Sequence, residues 1–324
     1  MSDYPLVSII SVNFNGLAYT LQMIESVKQV SWPNVEIIVV DNASKQHPAE
    51  IESRFPEVKL IRSSENLGFA GANNLGVAAA KGEYFIFLNN DTEVDPGFIG
   101  PLVAEFQKDP KLGMASPKII FDEEGRRRII QFAGTPGINK FTMREGHSGH
   151  GEEDNGQHDV VRDTELVHGA AMMVSREVAE KVGLMPDIFF LYYEEHDWCE
   201  MTKRHGYKAK YVGTSKIYHK ESLTVGKNSV IKSFYMVRGR LLYMRRNTKG
   251  LEFLSSLLFF MIAAFPKNTL VLLMQREFRL LKAYWQGVFW HLGRRHVKEN
   301  PQLVTDASGN AAVTNVSGER IRKF

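Results

Sequence analysis

The stretch Phe85-Ile86-Phe87-Leu88-Asn89-Asn90-Asp91-Thr92 constrains the chain more than any other. Four consecutive apolar residues without polar alternation describe a strand buried on both faces, as in a sheet covered by helices on either side. The run then stops on two amides and a carboxylate. In an open α/β sheet, that end of a strand is where ligands bind. Asp91 is a hard oxygen donor suited to Mg²⁺ or Mn²⁺. Taken alone, the same residues also suit an Asn/Asp turn leading into a helix opened by Pro96. Three other strand ends decide between the two.

Leu6 to Val12 is a β-branched apolar run that ends in Asn13-Phe14-Asn15-Gly16, and Leu17, Leu21, Ile24 and Val27 follow at helical spacing. Val35 to Val40 reads as a second strand and ends in Asp41-Asn42-Ala43-Ser44. A short helix spans Pro48 to Phe55, a third strand Val58 to Ile61, and a helix to about Ala80 follows the polar run Ser63 to Asn74. Glu83 to Leu88 is the fourth strand. Alternating strands and helices predict a mostly parallel sheet with helices on its faces. Parallel strands bring their polar ends to one edge, so the four clusters face a common crevice. In that crevice Asp41 could accept hydrogen bonds from a pyrimidine imide or ribose hydroxyls, or it could simply cap the next helix. Gly68-Phe69-Ala70-Gly71 opens a helix with small residues and could present backbone N–H groups to a phosphate; a plain Gly-rich loop is the alternative. Neither G-x-x-x-x-G-K-S/T nor a clean G-x-G-x-x-G follows the first strand, which speaks against P-loop and dinucleotide-binding sites.

With 324 residues, 44% apolar and 24% charged, the chain has the length and composition of a globular protein of one large or two modest domains. Its net charge is only +3, and no nucleic-acid partner is expected. The lone cysteine, Cys199, excludes an intramolecular disulfide and points to a reducing, cytoplasmic setting. Met1-Ser2-Asp3-Tyr4-Pro5 does not read as a signal peptide. Residues 121 to 160 are polar and Gly-rich. Their histidines His147, His150 and His158 lack a cysteine partner, so a mobile loop over the site is preferred to a zinc centre.

A second chemical centre lies in Tyr192-Tyr193-Glu194-Glu195-His196-Asp197-Trp198, at the start of a helix that Gly206 stops. Three carboxylates at a helix N-terminus suit the macrodipole. They also suit a general base whose pKa is raised by neighbouring carboxylates. On a helix Glu194 and Asp197 share a face and Glu195 lies about 100° away. Tyr211-Val212 and Lys216-Ile217-Tyr218 read as strands, the second closed by His219, a nitrogen donor that could complete a metal site with Asp91. From 230 to 293 the chain becomes apolar and basic. Its longest clean apolar run, Phe253 to Phe265, is too short to span a bilayer. With Arg238, Arg240, Arg245, Arg246, Arg294 and Arg295, and the aromatics Tyr284, Trp285, Phe289 and Trp290, the segment suits a membrane surface; a buried hairpin or a homodimer interface is the competing account. Residues 300 to 324 are expected to be disordered.

The ordered set Val12-Asn13-Phe14-Asn15, Val40 to Ser44, Asn66 to Asn73, Leu88 to Asp91, Glu194 to Trp198 and Tyr218-His219 resembles inverting nucleotide-sugar glycosyltransferases of family 2, with the GT-A fold, in particular bacterial rhamnosyltransferase-like members. The resemblance runs from about Val7 to Arg246. It implies an α/β catalytic domain over 1–228 (nucleotide half 1–115, acceptor half 116–228), a helical extension over 229–299 and a tail over 300–324. It places a nucleotide-sugar donor against Asn13, Asn15, Asp41, Asn42, Ser44, Asn66, Gly68, Phe69, Ala70, Asn73, Asn89 and Asn90. Mn²⁺ or Mg²⁺ falls to Asn89, Asp91 and His219, in place of the family's D-x-D motif. Glu195 matches the base position, Asp197 an acceptor-positioning one, and Glu194 completes the acidic motif. Asn89 departs from the first Asp of D-x-D, and Glu195 stands where Asp is common. The implied activity is transfer of a sugar, rhamnose from dTDP-rhamnose among the candidates, to a glycan or lipid-linked acceptor in cell-surface polysaccharide synthesis at the inner face of the membrane. A sugar-phosphate nucleotidyltransferase and a non-catalytic membrane scaffold are the alternatives. The first should carry a lysine-bearing Gly-rich loop where this chain has Asn13 to Gly16.

Overall fold

A computed structural model of the chain describes residues 4–123, 125–220, 229–292, 300–305 and 311–314. The first third alternates as the sequence predicts: β1 (Val7–Asn13), α1 (Leu17–Val27), β2 (Val35–Asn42), α2 (Ala49–Arg54), β3 (Lys59–Ser63), α3 (Gly68–Ala79) and β4 (Tyr84–Leu88). The strands β3, β2, β1 and β4 lie side by side and parallel. Phe85 and Phe87 point into one apolar layer and Ile86 and Leu88 into the other, none more than 2% exposed. Burial on both faces is why this strand shows no polar alternation.

Beyond β4 the sheet becomes mixed. The chain makes β5 (Thr92–Val94), α4 (Ile99–Lys108), β6 (Leu112–Phe121), β7 (Ile130–Phe132), β8 (Ile138–Asn139), β9 (Arg144–Glu145), β10 (Val161–Asp163) and β11 (Ala171–Ser175). Then come α5 (Arg176–Lys181), α6 (Glu194–Arg204) and β12 (Lys208–His219). β11 inserts antiparallel between β4 and β6, and β6 pairs in parallel with β12. The two strands read at Tyr211-Val212 and Lys216-Ile217-Tyr218 are one strand. Its register against β6 jumps between Val212 and Lys216, and Ser215 in that interruption donates to the Phe98 carbonyl. The histidine-bearing stretch is tied down by β7 and by Lys118, fully buried beneath Asp154 (2.7 Å) and Asp159.

Four helices follow: α7 (Val230–Asn247), α8 (Gly250–Phe259), α9 (Phe265–Met274) and α10 (Phe278–Phe289). A π-helical turn over Phe260–Ala264 joins α8 to α9, so Gly250–Met274 is one helix of 25 residues. Glu252, Pro266 and Lys267, which break the apolar run in sequence, do not break the helix. Pro266 sits in the first turn of α9, where the wider π turn accommodates its missing N–H. The helix is therefore longer than the clean run Phe253 to Phe265 suggested. Arg294 and Arg295 lie outside the described residues. The stretch expected to be disordered carries an antiparallel hairpin, β13 (Gln302–Thr305) with β14 (Ala311–Thr314). Leu303 and Val313 are buried against the layer that holds Val182 and Leu184, and that burial opposes the entropy a polar tail would otherwise keep.

Candidate active site

Register builds one end of the crevice. Asn13 and Asp41 are direct neighbours at the ends of β1 and β2. The Asn13 amide donates to Asp41 Oδ1 (2.8 Å) and to Ser44 Oγ (3.1 Å), and Thr20 donates to Asn13 Oδ1 (3.0 Å). The Asn15 backbone N–H donates to Ser44 Oγ (2.8 Å). Asp41 is fully buried, yet its Oδ2 has no hydrogen-bond partner among the described residues and sits 3.8 Å from Arg62 Nε. A buried carboxylate oxygen held beside a cation but left without a donor is poised for one supplied from outside the protein.

Other residues from the donor list serve the scaffold instead. Asn42 donates to Asn66 Oδ1 (3.0 Å) and the Gly68 carbonyl (3.2 Å) and accepts from Leu67 N (2.8 Å). Asn73 donates to the Phe69 carbonyl one turn back (3.0 Å), and Ala70 is core. Two of the four backbone N–H groups expected to meet a phosphate are occupied as well: Gly68 N donates to Asn66 Oδ1 (2.9 Å) and Phe69 N to the Phe190 carbonyl (2.6 Å). Gly68 has φ +71°, and a β-carbon there would collide with that same carbonyl. The glycine thus admits the 190 loop rather than a ligand. Asn90, buried, donates to Thr20 Oγ1 (3.0 Å) and braces β4 against α1.

Asp91 and His219 meet. β12 pairs with β5 so that His219 lies opposite Thr92, and the imidazole comes beside the neighbouring carboxylate. His219 Nε2 is 3.2 Å from Asp91 Oδ1 and 3.5 Å from Asn89 Nδ2. On the other side of the ring, Nδ1 is 2.8 Å from Gln131 Oε1. An amide oxygen accepts only, so Nδ1 donates to Gln131 and Nε2 is the ring nitrogen that faces Asp91. Two electron-pair donors that face each other at 3.2 Å need a proton or a cation between them. A hard divalent ion fits this set, with Gln131 orienting the imidazole from behind. Asp91 also lines a cleft of about 330 Å³ with Tyr19, Gln22, Asn90, Thr92 and Lys220.

The acidic motif is sorted by its surroundings. Tyr193, with φ +75°, turns the chain into α6. Glu194 is buried. Burial first, then the adjacent Glu195 charge, push its carboxyl up to about 8. Glu195 lies against Gly169, where an added β-carbon would be 3.0 Å from Glu195 Oε1. Burial alone would raise Glu195, but the adjacent His196 outweighs it and the net shift is downward. His196 Nδ1 is 3.5 Å from Glu195 Oε2 and its Nε2 is 3.3 Å from Glu145 Oε2. Burial opposes its charge, yet the two carboxylates raise it to about 10. His168 precedes Gly169, against which Glu195 lies, and faces His219. Its ring centre is 6.3 Å from that of His219, and burial, then His219, lower it to about 4. The Ala170 carbonyl beside it accepts from Asn89 N (2.9 Å), which ties the 168–170 turn to the end of β4.

Asp197 does not reach the crevice. It is fully buried against α7, where Arg246 Nε lies 2.9 Å from both its oxygens, Arg246 Nη2 2.8 Å from Oδ2, and Asn247 Nδ2 donates to Oδ1 at 2.6 Å. With its acceptor sites filled by a bidentate guanidinium and an amide, it fastens α6 to α7 and cannot position a sugar. Sequence reasoning missed Gln131, Glu145, His168 and Gly169. His168-Gly169-Ala170-Ala171 just before a strand was a readable signal for the last two; Gln131 and Glu145 had none.

The comparisons with known proteins decide the family. Residues 8–183, more than half of the chain, match the model of Glycosyl transferase family 2. The chain belongs to that family. A low-salt glycan biosynthesis hexosyltransferase of Haloferax volcanii is 27% identical over 211 residues, which cover 61% of this chain and 62% of that protein. The chain spans only 28%, 35% and 62% of the length of the first three curated relatives it matches. Among solved structures, GalNAc-T7 with UDP, GalNAc and Mn²⁺ superposes with a TM-score of 0.58 at 20% identity, covering 73% of this chain and 48% of that one. The mannosyltransferase PcManGT from Pyrobaculum calidifontis, with GDP-Man and Mn²⁺, gives 0.54 at 14% identity, covering 91% and 89%. At such identities the likeness speaks for the fold, a GT-A-type mixed sheet flanked by helices.

Proposed function

We propose that the protein is an inverting, divalent-cation-dependent glycosyltransferase that moves a sugar from a nucleotide-sugar donor to a hydroxyl of a glycan or lipid-linked glycan in polysaccharide biosynthesis. The observation that carries this reading is the pairing of His219 Nε2 with Asp91 Oδ1, one histidine ring away from a carboxylate, Glu195, held ionised by His196. Family membership and the Mn²⁺ and nucleotides named for the two solved neighbours support it. On this reading Asp41 takes the nucleotide base through its unpartnered oxygen, with Asn13 and Ser44 fixing the carboxylate. Asp91, His219 and Asn89 would hold the cation, and the donor diphosphate would bind through it. When bound, the divalent ion offsets the charge that grows on the leaving diphosphate. Glu195 takes the proton from the acceptor hydroxyl, whose oxygen attacks the anomeric carbon opposite the departing diphosphate and inverts it. Rhamnose from dTDP-rhamnose is the donor we favour, on the rhamnosyltransferase-like motifs.

A nucleotidyltransferase is disfavoured, because Asn13 to Gly16 replaces the lysine-bearing loop that reaction needs and the family match lies elsewhere. The test is nucleoside diphosphate release from a panel of nucleotide sugars with Mn²⁺ and lipid-linked acceptors. Glu195→Gln keeps size and polarity but cannot take the proton. It should lower turnover by roughly 10²–10⁴ with donor affinity nearly unchanged. Turnover close to that of the unaltered protein would show that a different group is the base.

A further inference from the structure

The helix Gly250–Met274 is apolar on two opposite faces. One face packs: Ser256 and Phe260 are buried, and Phe253, Leu257 and Phe265 lie against the cluster formed by Val237, Leu241, Tyr243 and Tyr284. The other does not. Leu251, Leu254, Leu258 and Ile262 recur at spacings of three and four residues, joined by Met261 and Leu270, and all six are between 49% and 74% exposed. A helix apolar all round belongs in a low-dielectric setting, and water is not one. The neighbouring α10 adds exposed Phe278, Trp285 and Phe289. Around this patch Lys249, Lys267, Arg276, Arg279 and Lys282 are exposed, against only Glu252 and Glu277 of opposite sign between 249 and 282. Apolar side chains with tryptophan and a basic fringe match an anionic lipid surface.

At about 37 Å the helix is long enough to cross a bilayer core of about 30 Å. Its attachments argue otherwise. Near its start, Ser255 Oγ donates to the Phe141 carbonyl (3.3 Å) and Arg144 stacks on Phe259. Near its end, Asn268 Nδ2 donates to Tyr284 Oη (3.3 Å) and Trp285 Nε1 to Thr269 Oγ1 (3.1 Å). Tyr284 and Trp285 belong to α10, which packs on α7: Ser233 donates to the Leu280 carbonyl (3.0 Å), and Gly287 seats against Val237 and Phe234. α7 in turn is locked to the catalytic half through Arg246 and Asp197. Both ends of the apolar helix are therefore fastened to one body, which carries the buried charged network and the polar crevice. A crossing helix would need one end of that body on each side of the membrane.

We infer that Gly250–Met274 lies in the plane of an anionic membrane surface, its Leu254–Leu258–Ile262 face in the lipid, and does not span the bilayer. The full chain should sediment with vesicles of mixed phosphatidylcholine and phosphatidylglycerol, bind more weakly to phosphatidylcholine alone, and be partly released by salt. Trp285 emission should shift to shorter wavelength on binding. L258D/I262D removes two side chains that the fold leaves outside, so circular dichroism should be unchanged. Its vesicle binding should fall about tenfold to a hundredfold for each side chain withdrawn. Alkaline carbonate should extract the bound protein. Three outcomes would overturn the inference: no vesicle binding, binding that resists carbonate as a spanning helix does, or a stable dimer in light scattering that L258D/I262D dissociates while vesicles never bind. If L258D/I262D does not fold, Trp285 emission and carbonate extraction of the unaltered chain decide the same question. Neither readout depends on glycosyl transfer.

Discussion

Replacing Arg246 by methionine should destabilise the protein severely, although Arg246 touches nothing in the proposed reaction. The Asp197 carboxylate is fully buried, and Arg246 supplies three contacts at 2.8–2.9 Å. Methionine fills similar volume but leaves a buried charge with the Asn247 amide at 2.6 Å as its remaining named donor. Breaking a buried pair by removing one partner costs about 3–5 kcal/mol. For a chain of this size that corresponds to a fall in Tm of roughly 4–7 °C. The double variant R246M/D197L removes both charges, and its stability should return most of the way to that of the unaltered protein. Urea titration and thermal unfolding followed by circular dichroism measure both. The reasoning fails if R246M loses less than about 1 kcal/mol, or if the double variant is as unstable as the single one. D197N offers a further check: it should lower stability and leave the acceptor KM unchanged, because Asp197 faces α7 and not the crevice.

Two further outcomes follow from the site. Gln131→Ala removes the acceptor that fixes the His219 tautomer and should weaken Mn²⁺ binding about 10–100-fold by paramagnetic resonance titration with UDP present; His219→Ala should weaken it more. Glu194 titrates at about 8 in the folded protein, above its unfolded value, so the folded state holds an extra proton between those values and stability falls as pH rises through that window. Glu194→Gln should flatten that fall and leave the protein relatively more stable at pH 8, which urea titrations across pH will show.

What the sequence disclosed follows from which interactions are local. Phe85 to Leu88 announced a strand buried on both faces because burial leaves no polar alternation, and Asn13, Asp41 and Asp91 marked strand ends because a polar residue there interrupts an apolar run. The junction of Asp91 with His219 was harder, since it depends on β12 running back antiparallel to β5, a pairing between residues more than a hundred positions apart. Donor chemistry and the position of His219 at a strand end made that junction one option, and the family resemblance favoured it; local pattern alone could not place the two side chains together. Asn42, Asn66 and Asn73 show the limit from the other side. Composition marks them as polar residues near a crevice, but only the hydrogen-bond partners show that Asn42 and Asn66 hold a loop together and that Asn73 bonds back within its own helix. The mixed half of the sheet was not legible, because β11 enters between β4 and β6 against the direction that helix–strand alternation suggests. The clean apolar run Phe253 to Phe265 understates the helix over Gly250–Met274, because Pro266 and Lys267 interrupt the apolar pattern, whereas a π turn and an exposed helix face absorb both.

The acidic motif shows how much chemistry can differ within four residues of like composition. Glu194, Glu195 and Asp197 are interchangeable by charge, and helix geometry alone pairs Glu194 with Asp197. Tertiary contacts separate them. Asp197 meets a guanidinium and becomes a structural anchor. Glu194 is buried beside a second carboxyl with no cation paired to it among the described residues, and burial keeps its proton. Glu195 has His196 at 3.5 Å, and His196 is itself held from the far side by Glu145 at 3.3 Å. Two carboxylates around one imidazole favour the imidazolium, and that charge in turn favours ionised Glu195 over ionised Glu194, since two adjacent buried carboxyls do not both readily give up their protons. An ionised carboxylate is what a general base must be before the acceptor arrives. Glu145 comes from the β8–β9 hairpin, and Gly169, at the turn tied to the end of β4, lets the Glu195 carboxyl approach without a β-carbon in its way. The proposed base is therefore set by elements on three sides of it, and the ionised state of Glu195 is a property of the fold rather than of the motif.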